Sequence, residues 1–368
     1  MPQVKPDIET FARVKVVGVG GSGLNAVDHM IRSKIKGVDF IGINTDAQDL
    51  HHSLMPKKIH IGRTVTRGLG AGMDPELGRL AAEENKAEIA ETLQGADMVF
   101  ITCGFGGGTG SGAAPVIASS AKEAGILTIA VVTRPFSFEG LKRIQIAEEG
   151  LVRLRNNVDA MIVIPNDRLL AVTEKETSFL SAFAMCDDVL RQAVQGISDL
   201  ITMPGIINVD FSDVRAIMSN SGSALMGIGK SSGEKRAEEA ARQAISSPLL
   251  DMSIDGAKGV LFAVSGGEEM TMWEIQEAAK IITGAIDKDA KVIFGAFHDD
   301  RLRKGEFKIT VIASGFPQEG RIQKLFQNDK DKKENNSLNA SNNPNNKESA
   351  NPDNWEAVPA FLRRTKRP

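Results

Sequence analysis

Two glycine-rich segments contain the residues whose types and spacing could do chemistry. The first comprises residues 18–25, GVGGSGLN, between an apolar run and a helix-like pattern. It matches the pattern G-x-G-x-x-G, in which glycines allow backbone N–H groups to approach a phosphate at a helix N-terminus. On its own the match is weak, because a tight turn without a ligand and a nicotinamide- or flavin-binding fold explain it equally well.

The second segment comprises residues 104–112, GFGGGTGSG, and it also links an apolar run to a helix-like pattern. A run this rich in glycine loses much conformational entropy when it is ordered, so it is a poor choice for a purely structural turn. Its free N–H groups and its hydroxyls could form a cradle for an anion. Two such loops at the ends of strands in one sheet suit a di- or triphosphate held from two sides. The pattern G-x-x-x-x-G-K-[ST] does not occur, which excludes a P-loop NTPase.

Charged side chains elsewhere could act on such a ligand, but each of them also has a structural explanation. Glu139 and Arg143 are four residues apart and could form an ion pair on a helix. Asp187 lies in a long helical pattern, where a solvated position is the default expectation. Asp210 and Asp213 could cap a following helix and favour its first turn. Taken alone, these residues favour the structural explanation.

A sheet is needed to position the glycine segments, and the first half of the chain predicts one. Short β-branched apolar runs alternate there with longer helical patterns. The runs are 14–18, 39–44, 98–102, 127–132 and 160–164, and the helical patterns are 25–35, 75–93, 113–124 and 143–156. This alternation predicts an α/β fold with a mostly parallel sheet and helices on both faces, in which ligands bind at the carboxyl ends of the strands.

The second half of the chain predicts a different organisation. Residues 178–203 form a long helical pattern that ends near Met203-Pro204-Gly205. Further helices are predicted at 213–218, 233–245 and 273–286, and strands at 259–265, 291–298 and 306–314. We therefore expect a second α+β domain joined to the first through the long helix.

The C-terminal segment changes in composition. Residues 318–352 are rich in asparagine with nearly balanced charges, so they cannot bury enough apolar surface to fold. Residues 353–368 differ, because Trp355, Val358, Phe361 and Leu362 precede a basic cluster. This arrangement predicts a disordered linker followed by a short docking peptide.

The composition restricts the class of protein. The chain of 368 residues, 42% of them hydrophobic, has apolar material for one large or two ordinary domains. A net charge of -3 gives no sign of a nucleic-acid partner. Cys103 and Cys186 supply neither a disulfide framework nor zinc-site spacing. Neither a secretory signal nor an apolar stretch of roughly 20 residues is found, so we expect a cytoplasmic protein without a membrane-spanning segment.

Several of these motifs together resemble a known family. Residues 106–112, GGGTGSG, match the signature of the tubulin/FtsZ family, and the chain resembles that family over nearly its full length. The segments similar to its other nucleotide loops are 44–48 (NTDAQ), 68–72 (GLGAG), 133–140 (TRPFSFEG) and, near the base, 165–170 (PNDRLL). The departures are small: Ser22 and Leu24 stand where the family often has glycine or alanine, and Arg134 where it commonly has lysine.

The resemblance implies a GTP-dependent polymerising protein of bacterial cell division. Its parts would be a Rossmann-like parallel-sheet GTPase domain, a long central helix, a second α+β domain, a disordered linker and a short terminal peptide. The corresponding ranges are an extension at 1–12, the GTP-binding domain at 13–177, the helix at 178–204, the activation domain at 205–317, the linker at 318–352 and the peptide at 353–368. The implied cofactors are GTP or GDP and Mg²⁺, and the implied location is midcell on the inner face of the membrane.

The resemblance also implies which residues bind the nucleotide. They are Gly20, Gly21, Ser22, Gly23, Leu24, Asn25, Asn44, Thr45, Asp46, Gly70, Ala71, Gly72, Gly104, Gly106, Gly107, Gly108, Thr109, Gly110, Thr133, Pro135, Glu139, Arg143, Asn166, Phe183 and Asp187. Residues 21–25 and 107–110 would hold the phosphates, Glu139 and Arg143 would meet the ribose and phosphate region, and Asn166, Phe183 and Asp187 would meet guanine. Guanine presents two N–H donors that a carboxylate can accept together, whereas adenine presents an acceptor.

Catalysis and partners are likewise implied by the resemblance. Asn208, Asp210 and Asp213 would enter the nucleotide site of the next subunit in a head-to-tail homopolymer and orient the water that attacks the γ-phosphate. Hydrolysis would then depend on polymerisation. Residues 358–363, VPAFLR, resemble the family's C-terminal peptide, which implies that 353–368 binds a membrane tether such as FtsA or another division protein.

Two alternatives remain open. A dinucleotide-dependent oxidoreductase is supported by the first glycine segment, with Asp39 or Asp46 as the acid that binds ribose. The second glycine segment and the lack of a convincing hydride-transfer site count against it. A divergent tubulin-like filament outside cell division is the other alternative. The presence of Asn208, Asp210 and Asp213 counts against loss of hydrolysis in such a filament, and the terminal peptide favours division.

Overall fold

A computed structural model of the protein describes residues 12–171, 178–203, 205–247, 253–299 and 301–316. All of these residues belong to one compact unit. The expected linker at 318–352 and terminal peptide at 353–368 lie outside the described residues, as does the N-terminal extension apart from residue 12.

The first half of the chain forms the parallel sheet that the sequence predicts. Its strands are β1 (Val14–Val19), β2 (Val38–Asn44), β3 (Lys57–His60), β4 (Met98–Gly104), β5 (Leu127–Arg134) and β6 (Ala160–Pro165). They lie in the order β3-β2-β1-β4-β5-β6, and every neighbouring pair is parallel. The α/β fold class is thereby confirmed. The short strand β3 was not predicted, because its sequence KKIH lacks an apolar run.

Helices cover both faces of this sheet. They are α1 (Gly20–Arg32), α2 (Ala47–His52), α3 (Pro75–Glu84), α4 (Lys86–Leu93), α5 (Gly108–Glu123), α6 (Leu141–Arg155) and α7 (Asn166–Ala171), with a 3-10 turn at Ser137–Glu139. Apolar residues of α3, α4, α5 and α6 pack on one face of the sheet, and those of α1 and α2 pack on the other. Burial on both faces explains why these strands, apart from β3, are largely apolar.

Two helix boundaries differ from the predictions in ways that affect the site. α1 begins at Gly20 and α5 at Gly108, so the first turns of both helices are built from the glycine segments themselves. The predicted helix at 75–93 is interrupted at Asn85, which has φ -108° and ψ 20° and separates α3 from α4. Its side-chain oxygen accepts a hydrogen bond from the Gly62 N–H at 3.0 Å, so the break ties this corner to the preceding loop.

The second half of the chain contains the long helix and a mainly antiparallel region. Its elements are α8 (Phe179–Thr202), α9 (Phe211–Met218), β7 (Gly222–Ser232), α10 (Arg236–Ile245), β8 (Gly259–Gly266), α11 (Met272–Thr283), β9 (Lys291–His298) and β10 (Glu306–Ser314). β10 lies between β7 and β8 and is antiparallel to both, while β9 is parallel to β8. This is the second sheet region that we expected. It is continuous with the first, however, because β7 pairs in parallel with β6.

Strand β7 was not predicted, and its glycines explain why. Its sequence, GSALMGIGKSS, is poor in β-branched residues and resembles a loop. A Cβ on Gly227 would lie 1.9 Å from the Ala244 carbonyl oxygen, and one on Gly229 would lie 1.8 Å from the Ala240 carbonyl oxygen. The glycines thus allow the backbone of α10 to pack directly on the strand.

Helix α8 packs against both halves of the molecule. Leu190, Val194 and Ile197 are buried in the core that also contains residues of α1 and of the second sheet region. Near its C-terminal end, the Asp199 carboxylate accepts a hydrogen bond from Arg301 at 2.6 Å. Neither α8 nor any other helix of the described residues has the length and apolar character needed to span a membrane.

Candidate nucleotide-binding site

A cavity of about 280 Å³ opens at the carboxyl ends of β1, β4 and β5. Its lining residues are Val19, Gly20, Gly21, Ser22, Gly72, Gly104, Phe105, Gly107, Gly108, Thr109, Gly110, Thr133, Pro135, Glu139, Arg143, Asn166, Phe183, Cys186, Asp187 and Leu190. It therefore includes both glycine segments and one face of α8. This is the position at which a parallel α/β sheet binds its ligands.

One end of the cavity is built from backbone at the N-termini of α1 and α5. Neither helix has a side-chain cap among the described residues. The first N–H groups of a helix have no intrahelical acceptor and carry the positive end of the helix dipole, so two such ends favour an anion. The Thr109 side chain adds a hydroxyl to this wall.

Close approach of backbone segments explains the glycines at this end. A Cβ on Gly108 would lie 2.6 Å from the carbonyl oxygens of both Ala71 and Asp74. The Gly108 N–H also donates to the Gly72 carbonyl at 2.7 Å, which joins the second glycine segment to the 70–74 loop. Gly20 has a positive φ of 71°, a conformation that glycine adopts without strain.

The other end of the cavity carries acceptors that suit guanine. Asn166 is buried, and its Oδ1 has no hydrogen-bond partner among the described residues. Burial raises the pKa of Asp187 to about 6. A buried acceptor without a partner is costly unless a ligand supplies a donor, and guanine has N–H donors at N1 and N2. Phe183 lies beside these groups, and its ring meets that of Phe136 edge-on with centroids 5.2 Å apart.

The Glu139–Arg143 ion pair considered from the sequence is present at the rim. Arg143 donates to the Glu139 carboxylate at 2.9 Å, and both residues line the cavity. The Glu139 carboxylate also accepts from the Phe136 N–H at 2.9 Å, which fixes the start of the 3-10 turn. The structural explanation therefore holds for this pair, and a contact with the ligand from the same side chains stays a prediction.

Some predicted nucleotide-binding residues do not line the cavity. These are Gly23, Leu24, Asn25, Asn44, Thr45, Asp46, Gly70, Ala71 and Gly106. Several of them support the loops from behind: Leu24 is in the apolar core, Asp46 caps α2, and the Gly106 N–H donates to Ser111 Oγ at 3.0 Å.

The cavity also contains lining residues that were not predicted, namely Val19, Phe105, Cys186 and Leu190. Cys186 and Leu190 follow Phe183 by three and seven residues on α8, so the helical period already placed them on the same face. Burial raises the pKa of the Cys186 thiol to about 12, and this side chain is therefore a neutral apolar wall.

The predicted catalytic residues are far from this cavity. Asn208 Oδ1 accepts from the Gly205 N–H at 2.6 Å, and the Asp210 carboxylate accepts from the Ser212 N–H at 3.3 Å as the N-cap of α9. Asp187 precedes the end of α8 at Thr202 by 15 residues, which corresponds to about 22 Å along the helix. Residues 208–213, which we call the 208–213 loop, thus follow the opposite end of α8.

Helix α5 also places the 208–213 loop at the end of the molecule opposite the cavity. α5 begins at the cavity with Gly108 and ends at Glu123. Arg215 lies on α9, the helix that begins within the 208–213 loop, and it donates to the Gly125 carbonyl, just beyond the end of α5, at 3.3 Å.

Among the described residues, no cluster of three or more His, Cys, Asp or Glu side chains could hold a metal ion by itself.

Comparisons with known proteins agree with this architecture. Residues 13–174 match the GTPase domain of the Tubulin/FtsZ family, and residues 222–317 match the C-terminal domain of the FtsZ family. The chain is 46% identical to an FtsZ of M. jannaschii whose structure is an empty dimer; the match has a TM-score of 0.80 and covers 83% of this chain and 89% of that one.

Two more distant structures share the fold. CetZ2 from Haloferax volcanii, solved as a GTPγS-bound protofilament, is 20% identical with a TM-score of 0.72, over 88% of this chain and 99% of that one. CetZ1 from the same organism, a GDP-bound monomer, is 22% identical with a TM-score of 0.71, over 86% and 98% of the two chains. The match to the GTPase family model and the 46% identical FtsZ exclude the oxidoreductase alternative. The family models and the 46% identical relative show that the chain is a GTPase of the FtsZ family, within the tubulin superfamily.

Proposed function

We propose that this protein polymerises head to tail with GTP, forms the cytokinetic ring of bacterial cell division, and hydrolyses GTP between successive subunits. The observation that carries the proposal is the separation of the cavity from the 208–213 loop by the length of α8. Each subunit has a nucleotide cavity at one end and a set of carboxylates at the other. Stacking subunits along this direction would bring the two halves of the site together.

Exposed apolar side chains at both ends support stacking. Three leucines, Leu69, Leu141 and Leu180, are each more than 80% exposed. Along the chain, each of them is no more than three residues from a residue that lines the cavity. At the other end Ile206 is 69% exposed and lies two residues before Asn208. Apolar groups placed at opposite ends suit a heterologous interface, which repeats to give a filament.

In the assembled site, the nucleotide would lie along the cavity. The backbone of residues 107–110 and the N-terminus of α1 would bind the phosphates, while Asn166 and Asp187 would accept hydrogen bonds from guanine. Mg²⁺ is usually held by phosphate oxygens, waters and only one or two carboxylates, so a site with few acidic groups fits it. When bound there, the ion would neutralise charge that develops on the phosphates.

The neighbouring subunit would supply Asn208, Asp210 and Asp213. Their carboxylates and amide would orient the attacking water and accept its proton, an effect typically worth ~10²–10⁴ in rate. Asp210 already caps α9 and Asp213 lies in its first turn. A catalytic role would therefore be added to a structural one.

The experiment that tests a shared site mixes two inactive variants. Asp213→Ala removes a carboxylate from the loop, and Gly107→Leu fills the cavity, because a Cβ at Gly107 meets no atom within 4 Å and the added side chain has room to enter. Each variant alone should hydrolyse GTP slowly. Mixed in equal amounts, they should recover about a quarter of wild-type turnover, because one interface in four pairs an intact cavity with an intact loop. No recovery despite co-sedimentation of the two variants contradicts a shared site.

A matched substitution separates catalysis from capping. Asp210→Asn keeps a good N-cap while removing the charge, whereas Asp210→Ala removes both. We expect both variants to bind GTP and to lose at least tenfold in turnover at saturating GTP. Normal turnover in Asp210→Asn together with loss in Asp210→Ala would assign Asp210 to capping alone.

The division role rests on the terminal peptide at 353–368. Deleting it should preserve GTP turnover and filament formation but abolish co-pelleting with vesicles that carry an FtsA-type tether. Phe361→Ala in the full chain is the matched single change, because aromatic anchors dominate short docking peptides. Equal pelleting of all three proteins would favour a filament that acts outside division.

A further inference from the structure

We propose that Thr45 is a positioning residue whose hydroxyl orients the Thr109 hydroxyl toward the phosphates of the bound nucleotide. Thr109 lines the cavity, whereas Thr45 is fully buried behind it. The two Oγ1 atoms are 2.6 Å apart, which is a short hydroxyl–hydroxyl hydrogen bond. The inference rests on the proposed placement of the phosphates at residues 107–110.

The direction of this hydrogen bond follows from the available acceptors. A hydroxyl has one proton to donate and two lone pairs. The Thr45 hydroxyl has Thr109 as its one hydrogen-bond partner among the described residues, so its proton has no other destination. When a phosphate oxygen accepts the proton of Thr109, the Thr45 proton points at Thr109 Oγ1. A chain of two hydroxyls that ends on an anion is polarised along its length, which strengthens the outer bond.

The backbone around Thr45 is fixed independently of the ligand. The Thr45 N–H donates to Asn44 Oδ1 at 2.9 Å, and Asn44 in turn donates to the Asp49 carboxylate at 2.9 Å. The Thr45 carbonyl accepts from the Gly70 N–H at 3.4 Å. Thr45 is therefore held before the nucleotide arrives, and preorganised donors act without a cost of reorganisation.

The same residue joins the two loops on either side of the phosphate end. Its carbonyl holds the loop that reaches Gly72, which lines the cavity, and its hydroxyl holds Thr109. The segment NTDAQ, which contains Thr45, was identified as a nucleotide loop by resemblance, and the sequence gave no sign that Thr45 would act through a second hydroxyl. The contact with Thr109 spans 64 residues of the chain.

The test is a double-mutant cycle in the full-length chain, with GTP and GDP affinities measured by calorimetry below the concentration at which filaments form. Thr45→Val keeps the side-chain shape and removes the hydroxyl, and Thr45→Ser keeps the hydroxyl. We expect Thr45→Val to weaken GTP binding roughly fivefold, the value of one ordinary hydrogen bond, and Thr45→Ser to stay within twofold of wild type. Thr109→Val should weaken binding at least as much.

The decisive variant combines Thr45→Val with Thr109→Val. If Thr45 acts through Thr109, the double variant binds GTP no more weakly than Thr109→Val alone, whereas a packing role for Thr45 makes the two losses multiply. Unchanged binding in Thr45→Val, or multiplied losses in the double variant, overturns the inference. Wild-type protein that fails to bind GTP at all would instead contradict the proposed site, which keeps the two failures distinct.

Discussion

The parallel and antiparallel halves of the sheet use glycine for the same steric purpose but with different results. In the parallel half, Gly108 lets the start of α5 approach the 70–74 loop; in the antiparallel half, Gly229 lets α10 pack on β7. The residues on either side of Gly108 line a cavity, while the backbone of β7 is paired with β6 at its start and with β10 over the rest of its length. Close backbone approach produces a binding site only where the N–H groups remain without partners.

The two halves also differ in how they use charge. At the rim of the cavity, Glu139 and Arg143 form an ion pair. In the antiparallel half, buried Arg236 reaches the carboxylates of both Glu269 and Glu274. Arg301 similarly joins Asp199 and Asp299, which are almost completely buried. The antiparallel half thus depends on ionic clusters for its connections, whereas the cavity depends on backbone.

The largest effects should come from adding a Cβ at the two close approaches. Gly108→Ala forces the 70–74 loop away from α5, and we expect GTP affinity to fall about 30- to 100-fold. Gly229→Ala should lower the free energy of unfolding by about 3 kcal/mol and leave the GTP affinity of the folded protein unchanged. Calorimetry with GTP and urea unfolding measure the two quantities.

Gly107→Ala is the control for this pair, because its Cβ meets no atom within 4 Å. It should unfold like the wild type. A larger loss of GTP affinity in Gly229→Ala than in Gly108→Ala would remove the distinction between the two halves.

This contrast also explains how much of the molecule the sequence could predict. Five of the six parallel strands were predictable, because burial on both faces makes each of those five an apolar run, whereas the edge strand β3 is not one. Strand β7 was not predictable, because its glycines are required by contact with the backbone of α10, and no pattern within β7 itself indicates that contact. The glycine segments of the site were predictable from composition. The 208–213 loop was identified by resemblance, and its distance from the cavity follows from the length of α8, a helix that the sequence predicted at 178–203. The contacts of α8 with both halves of the molecule, in contrast, are tertiary contacts that no local pattern specifies.

The next effect concerns the cluster around Arg301. Burial opposes ionisation of Asp299, but hydrogen bonds from Arg301 outweigh it and hold the pKa of that carboxyl below its ordinary value of 3.8. Arg301→Met removes the cation that is hydrogen-bonded to both buried carboxylates and leaves them with the nearby charge of Lys308. Because the arginine itself is partly exposed and screened, we expect a loss of about 2 kcal/mol in the free energy of unfolding at pH 7.

The pH dependence of that loss identifies its cause. In the wild type, the contribution of Asp299 is present above pH 3.8 and disappears as the pH falls through its lowered pKa. In Arg301→Met the Asp299 carboxylate should take up a proton more readily, so the difference in unfolding free energy from the wild type should narrow as the pH falls from 7 to about 5. A gap that stays constant over this range would assign the loss to packing of the arginine stem.

The smallest effect should be the pH dependence of nucleotide binding through Asp187. Burial raises the pKa of this carboxyl to about 6, so the free protein holds a proton there at lower pH. Guanine donates from N1 and N2 and requires the ionised acceptor, so binding below pH 6 releases that proton. GDP affinity should therefore fall about fourfold between pH 7.5 and pH 5.5, as the ionised fraction falls.

The phosphates of the nucleotide titrate in the same range, so the informative quantity is the difference between the wild type and Asp187→Asn. The asparagine keeps the shape of the side chain and cannot titrate. It should bind GDP more weakly at pH 7.5, because its amide presents at most one acceptor to two guanine donors. The GDP affinity of Asp187→Asn should then vary with pH only through titration of the phosphates. Between pH 7.5 and pH 5.5 its decrease should be about fourfold smaller than the decrease in the wild type.

Calorimetry in buffers of different ionisation enthalpy counts the protons released on binding directly. An equal pH dependence in both proteins would mean that Asp187 does not face the base. The guanine end of the cavity would then have to be reassigned, whereas the assignment of the phosphate end would stand, because that end is built from backbone.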